Sequence, residues 1–175
     1  MNLKQFIVAV VATTLSISCG DTKKDDNNNA ENEKMSKTSI STEERNKKII
    51  MESMAGVNAH NPEIMLKDAA ADCTEYGDGS GAAMKGKDST IAFVRMLFTA
   101  IPDYKVENPM IFASGNRVLS LGEWSGTFKN DLMGMKATGK FFKFNDVDVF
   151  TINDEGKITE HRSIYPMSAL MMQGK

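Results

Sequence analysis

The chain has 175 residues, 41% hydrophobic and 25% charged, and a formal charge of −2 at neutral pH. That is enough length for one domain with a real core. No Arg-Lys run or basic patch is present to hold a phosphate backbone, which argues against a nucleic-acid partner.

In chain order the first element is a leader. Lys4 gives a positive start, residues 6–12 are unbroken apolar, and Leu15-Ser16-Ile17-Ser18 leads into Cys19. The run is too short to span a bilayer, which takes about 20 apolar residues, and it has the layout of a secretory signal. A cysteine after small residues at the end of such a run resembles the lipobox of bacterial lipoproteins, with Leu15 one place further from Cys19 than usual. The resemblance implies cleavage before Cys19, lipidation of its sulfur, and residence in the bacterial cell envelope, at the outer membrane or cell surface, with the membrane as a partner through the lipid anchor. The alternative is an ordinary secretory signal with an incidental cysteine. If Cys19 is lipidated, Cys73 has no partner for a disulfide; with no Cys or His at ligand spacing, it reads as a small buried hydrophobe.

Residues 1–18 are therefore expected to be signal, and 19–40 the lipidated cysteine and its tether. Asp21, Lys23, Lys24, Asp25, Asp26 and the asparagines at 27–29 offer almost nothing to bury, which predicts disorder. A coil of that length spans roughly 25 Å.

The domain is expected at 41–175. Ser41-Thr42-Glu43-Glu44 reads as a capping box, opening a helix with Ile50, Met54 and Val57 on one face. Asn61-Pro62 starts a short second helix, and 70–76 reads as a strand before a glycine-rich loop at 77–86. Asp88 or Ser89 is expected to cap a third helix carrying Ile91, Val94, Leu97, Phe98 and Ile101, ended by Pro102. From Tyr104 the period changes from helix to strand, giving strands at 105–113, 117–129, 140–152 and 157–164, then a short helix from Pro166. Helices followed by an antiparallel meander predict an α+β domain with helices on one face of a curved sheet.

That order resembles the SnoaL-like (polyketide cyclase-like) branch of the nuclear transport factor 2-like superfamily, over about 43–173. The resemblance is carried by Ala100-Ile101-Pro102-Asp103, by Gly126-Thr127-Phe128, by the run from Met133 to Lys140, and by Gly156-Lys157-Ile158-Thr159-Glu160-His161. It implies a cone, a bent sheet wrapped around helices with a pocket at the wide end. Its members include ester cyclases, isomerases, dehydratases and binding proteins, so the fold alone does not give the function. Cyclases of this kind carry a tryptophan two places after the glutamate and an acid-base aspartate a few places later. Here those places fall on Arg162 and Pro166, with Tyr165 beside the latter, so the usual acid-base aspartate is replaced.

The last hairpin locates the candidate chemistry. Asp154-Glu155-Gly156 suits a three-residue turn, which pairs Asn153 with Lys157 and places Asp148 opposite Arg162. Alternation then puts Phe144, Asp146, Asp148, Phe150, Glu160 and Arg162 on the face toward the helices. His161 falls on the opposite face, where a lone strand histidine is ordinarily structural. Asp146, Asp148 and Glu160 are the candidate catalytic carboxylates, since burial raises basicity and suits proton abstraction next to a carbonyl. Arg162, Trp124, Phe144, Phe150 and Tyr165 are the candidate ligand-binding residues, for a small apolar or anionic molecule. The bland alternative is an Asp148–Arg162 pair in solvent at the sheet rim, and a one-residue slip in register would separate the two.

No metal-ligand spacing, phosphate loop or dinucleotide fingerprint is present, and no cofactor is expected. Three functions follow: a membrane-anchored small-molecule binding domain, a cofactor-independent isomerase, cyclase or dehydratase using a pocket carboxylate, or an interaction module that forms a homodimer through its sheet.

Overall fold

The computed structural model describes residues 26–79 and 81–164. Helix α1 (Asp26–Asn58) is followed by α2 (Pro62–Met65), β1 (Ala69–Glu75), β2 (Met84–Lys85), α3 (Lys87–Ala100), β3 (Lys105–Ser114), β4 (Arg117–Thr127), β5 (Phe141–Ile152) and β6 (Ile158–Ser163). The order is the expected α+β one. One six-stranded sheet runs β2-β1-β6-β5-β4-β3, with α1 packed on β3 and β4 and α3 on β1 and β2.

The sheet is mixed where a purely antiparallel one was expected. β3 to β6 form the antiparallel meander, but β1 returns to lie parallel to β6. Helix α3 and the meander itself lie between β1 and β6 and supply the long connection that a parallel neighbour needs. This pairing brings the end of β1 to the end of β6.

Helix α1 corrects the expectation of a disordered tether across 26–40 and of a helix start at Ser41. It begins at Asp26, and Ser41 lies inside it. Side chains 31–41 are exposed, and Asn46 is the first buried one among those described. The overhang is held by local bonds such as Lys37–Glu33 at 3.2 Å and Thr38 Oγ1 to the Lys34 carbonyl at 2.9 Å. The tether reading counted burial and left out these i,i+4 pairs. Glu43, expected at the cap, and the residues just after it hold the sheet instead. Glu43 accepts from the Gly115 amide at 3.0 Å, and buried Asn46 donates to the Gly115 carbonyl at 3.0 Å. Arg45 donates to the Asp154 carbonyl at 2.7 Å and the Asn153 carbonyl at 3.2 Å. One turn of helix thus grips both hairpin turns.

Asn61 caps α2 as expected, accepting from the Ile64 amide at 2.9 Å. Gly56 lets α2 cross α1 closely: a Cβ there would stand 2.3 Å from the Met65 nitrogen. The cap of α3 differs from expectation. Gly86, at φ 91°, holds the N-cap position in place of Asp88 or Ser89, and Thr90 bonds back to the Gly86 carbonyl at 3.0 Å. Asp103, just beyond α3, accepts from the Thr127 amide and hydroxyl, both at 2.7 Å, and fixes the end of β4.

The core lies between the helices and the concave face of the sheet, around Ile50, Val57, Val94, Phe98, Val106, Val118, Trp124, Phe150 and Ile152. A second cluster at Leu97, Ile101, Phe128, Leu132 and Phe142 closes one end. Cys73 is buried, as expected. Residues 1–25 and 165–175, with Cys19, Tyr165 and the helix expected from Pro166, lie outside the described residues. No helix among the described residues is long and apolar enough to cross a membrane.

Candidate functional site

Strands β4 and β5 bury alternate residues against the helices. From β4 these are Val118, Ser120, Gly122 and Trp124. From β5 they are Phe142, Asp146, Asp148 and Phe150, with Phe144 half-buried in the same row. Register sets Ser120 directly opposite Asp148, Gly122 opposite Asp146, and Trp124 opposite Phe144. Asp146, Asp148, Trp124, Phe144 and Phe150 therefore share the concave face, as the alternation predicted for the four on β5.

Strand β6 departs from the predicted register. Ile152 pairs with Ile158, as the turn requires, but Thr151 pairs with Glu160. Thr159 is thus an extra residue, a β-bulge, and every later side chain changes face. Asp148 lies opposite Ser163 instead of Arg162, and Phe150 opposite His161 instead of Glu160. Glu160 accepts from Thr151 Oγ1 at 2.8 Å and stands 3.7 Å from Arg117. The Arg162 guanidinium lies 4.8 Å over the Tyr76 ring, a cation–π contact. Glu160 and Arg162 therefore leave the proposed constellation, and His161 enters it. The physical reason is partner supply: the bulge brings an imidazole and a hydroxyl to the buried carboxylates and leaves the guanidinium in water, where its charge costs least.

His161 sits between two carboxylates. Its Nδ1 is 2.6 Å from Glu75 Oε2 and its Nε2 is 3.1 Å from Asp148 Oδ1. Phe150 stacks on the ring at 4.6 Å. Glu75 arrives from β1, paired beside His161 by the parallel contact, and its other oxygen accepts from the Gly77 amide at 2.7 Å. Asp146 accepts from Ser163 Oγ and from the Val147 amide. Three buried polar atoms on this face have no hydrogen-bond partner among the described residues: Asp148 Oδ2, Ser120 Oγ and Trp124 Nε1. Tyr104 stacks on Trp124 at 5.3 Å and fixes its plane.

Burial pushes the Asp148 carboxyl above its usual value, with Asp146 and Glu75 adding to the effect and His161 opposing it. Burial alone would discharge His161, but the charges and hydrogen bonds of Glu75 and Asp148 push it up to about 10. With a carboxylate on each nitrogen it is an imidazolium that donates both ways. Burial raises Glu75, but His161 and the Gly77 amide outweigh it and hold the carboxyl low. Burial, with Asp148 and Asp146 nearby, pushes the Tyr104 phenol far up and keeps it neutral.

His60 has a structural role, stacked on Phe98 at 5.1 Å with Nε2 on the Tyr104 carbonyl at 2.7 Å. An open recess lined by Glu33, Lys34, Lys37, Thr38 and Ser41 belongs to the exposed overhang of α1 and not to the concave face. No cluster of three or more His, Cys, Asp or Glu suited to a metal ion is present among the described residues.

Sequence reasoning missed Glu75, His161, Ser163 and Ser120. The first depends on the parallel pairing of β1, the next two on the bulge. Ser120 was legible in principle, since it lies four places before Trp124 on the same face.

A curved sheet around helices, with a buried polar row on its concave side, defines an α+β cone. The chain belongs to the SnoaL-like polyketide cyclase family, whose sequence profile matches residues 48–174. A candidate SnoaL-like polyketide cyclase from Jannaschia sp. CCS1 is similar with a TM-score of 0.66 at 20% identity, over 76% of this chain and 92% of that one. A candidate polyketide cyclase from Xanthomonas campestris pv. campestris gives 0.68 at 18% identity, over 77% and 99%. TerC, co-crystallised with polyporic acid, gives 0.59 at 20% identity, over 73% and 96%. At these identities the likeness speaks for the fold. A search of curated proteins found no match.

Proposed function

We propose that this SnoaL-like domain binds a small carbonyl compound against the concave face of its sheet and moves a proton on it without a cofactor, with Asp148 as the base. One observation carries the reading: a buried carboxylate has one oxygen held by His161 and the other without a partner. Such a carboxylate keeps its charge through the imidazolium yet is more basic than one in water. Oδ2 takes the proton from the carbon next to the carbonyl, breaking C–H and forming O–H, and an enolate is left. Asp148 then returns the proton to the same or a conjugated carbon. Glu75 keeps His161 charged and oriented, and the Phe144, Phe150 and Trp124 rings form apolar walls. This assigns Asp148 the task that the family's replaced aspartate would perform. TerC, a fold relative, was crystallised with polyporic acid, which supports a small-molecule ligand here.

The test is exchange of the α-hydrogens of 2-tetralone and related cyclic ketones in D₂O, followed by proton NMR. The protein is expected to accelerate exchange, and Asp148→Asn to lose about 10²- to 10⁴-fold. Ketones bound without faster exchange than in buffer would make the domain a binding protein and overturn the catalytic reading. The leader supports a companion proposal, that Cys19 is lipidated and holds the domain at the bacterial cell envelope.

A further inference from the structure

Two unpartnered donors on the concave face of β4 bear on what the site recognises. Ser120 is fully buried and Trp124 is 6% exposed, and neither Ser120 Oγ nor Trp124 Nε1 has a partner among the described residues. A buried donor without an acceptor has given up its hydrogen bond to water for nothing in return, and native folds keep few of them. Here two lie on one face of one strand, beside a carboxylate oxygen in the same condition.

Their placement is specific. Ser120 is the direct cross-strand neighbour of Asp148. The edge of the indole reaches back along β4 over Gly122, where a Cβ would stand 3.5 Å from Nε1, and Gly122 is opposite Asp146. Tyr104 stacked on the indole holds that edge in place. Ser125 also lacks a partner, but it is one residue from Trp124, so alternation sends it to the other face.

We infer that Ser120 Oγ and Trp124 Nε1 are a donor pair for one acceptor oxygen of the ligand, a ketone, ester or enol oxygen, and that this pair determines specificity for oxygenated over hydrocarbon molecules. The inventory of groups supports that class. An indole N–H only donates, a serine hydroxyl can donate, and an ionised Asp148 oxygen only accepts. Two donors and one acceptor complement an oxygen bearing lone pairs next to a carbon bearing an acidic hydrogen. An ammonium or a guanidinium would meet two donors and is disfavoured. As an enolate forms, the charge on its oxygen grows while the donors are already in place, which is where fixed donors have the largest effect. The inference rests on the proposed proton transfer for its account of rate, but not for its account of binding.

The chain has a single tryptophan, so its indole N–H gives one resonance in a ¹⁵N-¹H spectrum of the whole domain. The matched probes are 2-tetralone and tetralin, the same bicycle with and without the oxygen. The indole proton is expected to move downfield with 2-tetralone and to stay in place with tetralin. Ser120→Ala is expected to weaken 2-tetralone binding about 2- to 10-fold, the worth of one neutral hydrogen bond, and to leave tetralin unchanged. An indole signal that ignores the ketone, or a Ser120→Ala loss equal for both probes, overturns the donor pair. If Asp148→Asn abolishes exchange while Ser120→Ala keeps the ketone preference, the donor pair fails and the proton-transfer reading stands. If the indole shift and the Ser120 effect appear without any exchange, the donor pair stands and the proton-transfer reading fails.

Discussion

With Glu75 on one ring nitrogen and Asp148 on the other, the His161 proton is retained up to about pH 10. An unfolded imidazole releases it near 6.5. The folded value is the higher one, so this contribution to stability is complete below about pH 6.5 and is lost as pH rises through about 10. It should amount to a few kcal/mol at most, since the ring retains some exposure. Thermal melts of the wild type are therefore expected to fall between pH 7 and 10.5 more steeply than those of His161→Gln. Equal slopes would show that the ring is neutral in the fold. Activity should carry the complementary signature. Asp148 must be ionised to act as base, so the exchange rate rises with pH through its elevated pKa and falls again when His161 discharges.

Among the elements, α1 divides into two parts with different jobs. Residues up to 41 touch solvent, while Glu43, Arg45 and Asn46 hold the turns of both hairpins. A chain beginning at Ser41 is expected to match the stability of one beginning at Asp26 within about 0.5 kcal/mol in urea melts. Asn46→Ala, which leaves the Gly115 carbonyl unpaired, should cost about 1–3 kcal/mol. A large loss on truncation would mean that the overhang packs on the domain. The limits of sequence reading also lie at this scale. Periodicity located every strand of the meander within a few residues, because a half-buried strand must alternate. It could not place the start of α1, since Ser41-Thr42-Glu43-Glu44 has the composition of a cap but lies inside the helix, where Glu43 is used for a tertiary bond. Nor could it place β1 beside β6, because a parallel partner leaves no local turn signal. Asp146, Asp148 and Trp124 were legible, since they lie on strands whose register follows from their own apolar neighbours. Glu75 and His161 were not.

For the whole molecule, the candidate site lies on the concave face of the sheet, and the exposed start of α1 extends beyond the core. Fifteen residues of overhang, 26–40, extend about 22 Å at the helical rise. A lipid on Cys19 would then hold the site clear of the headgroups. Cys19→Ala is expected to move the protein from the membrane to the soluble fraction or leave an uncleaved precursor, since the acyl chains supply about 0.8 kcal/mol per buried methylene. A wild type that takes up no labelled fatty acid would end that proposal.

The bulge at Thr159 also bears on how such a protein can change over generations. β6 carries two sets of side chains, His161 with Ser163 and Glu160 with Arg162, and whether Thr159 bulges or pairs decides which set faces inward. Regular pairing of Thr159 with Thr151, with no residue gained or lost, would exchange them and put a carboxylate and a guanidinium in place of an imidazole and a hydroxyl on the concave face. Loss of Thr159, by contrast, would close the bulge and leave His161 and Ser163 inward. In this fold a change of register at one strand position is a route from one inner constellation to another, and a lineage comparison of such domains should show the bulge gained or lost there together with changes of reaction.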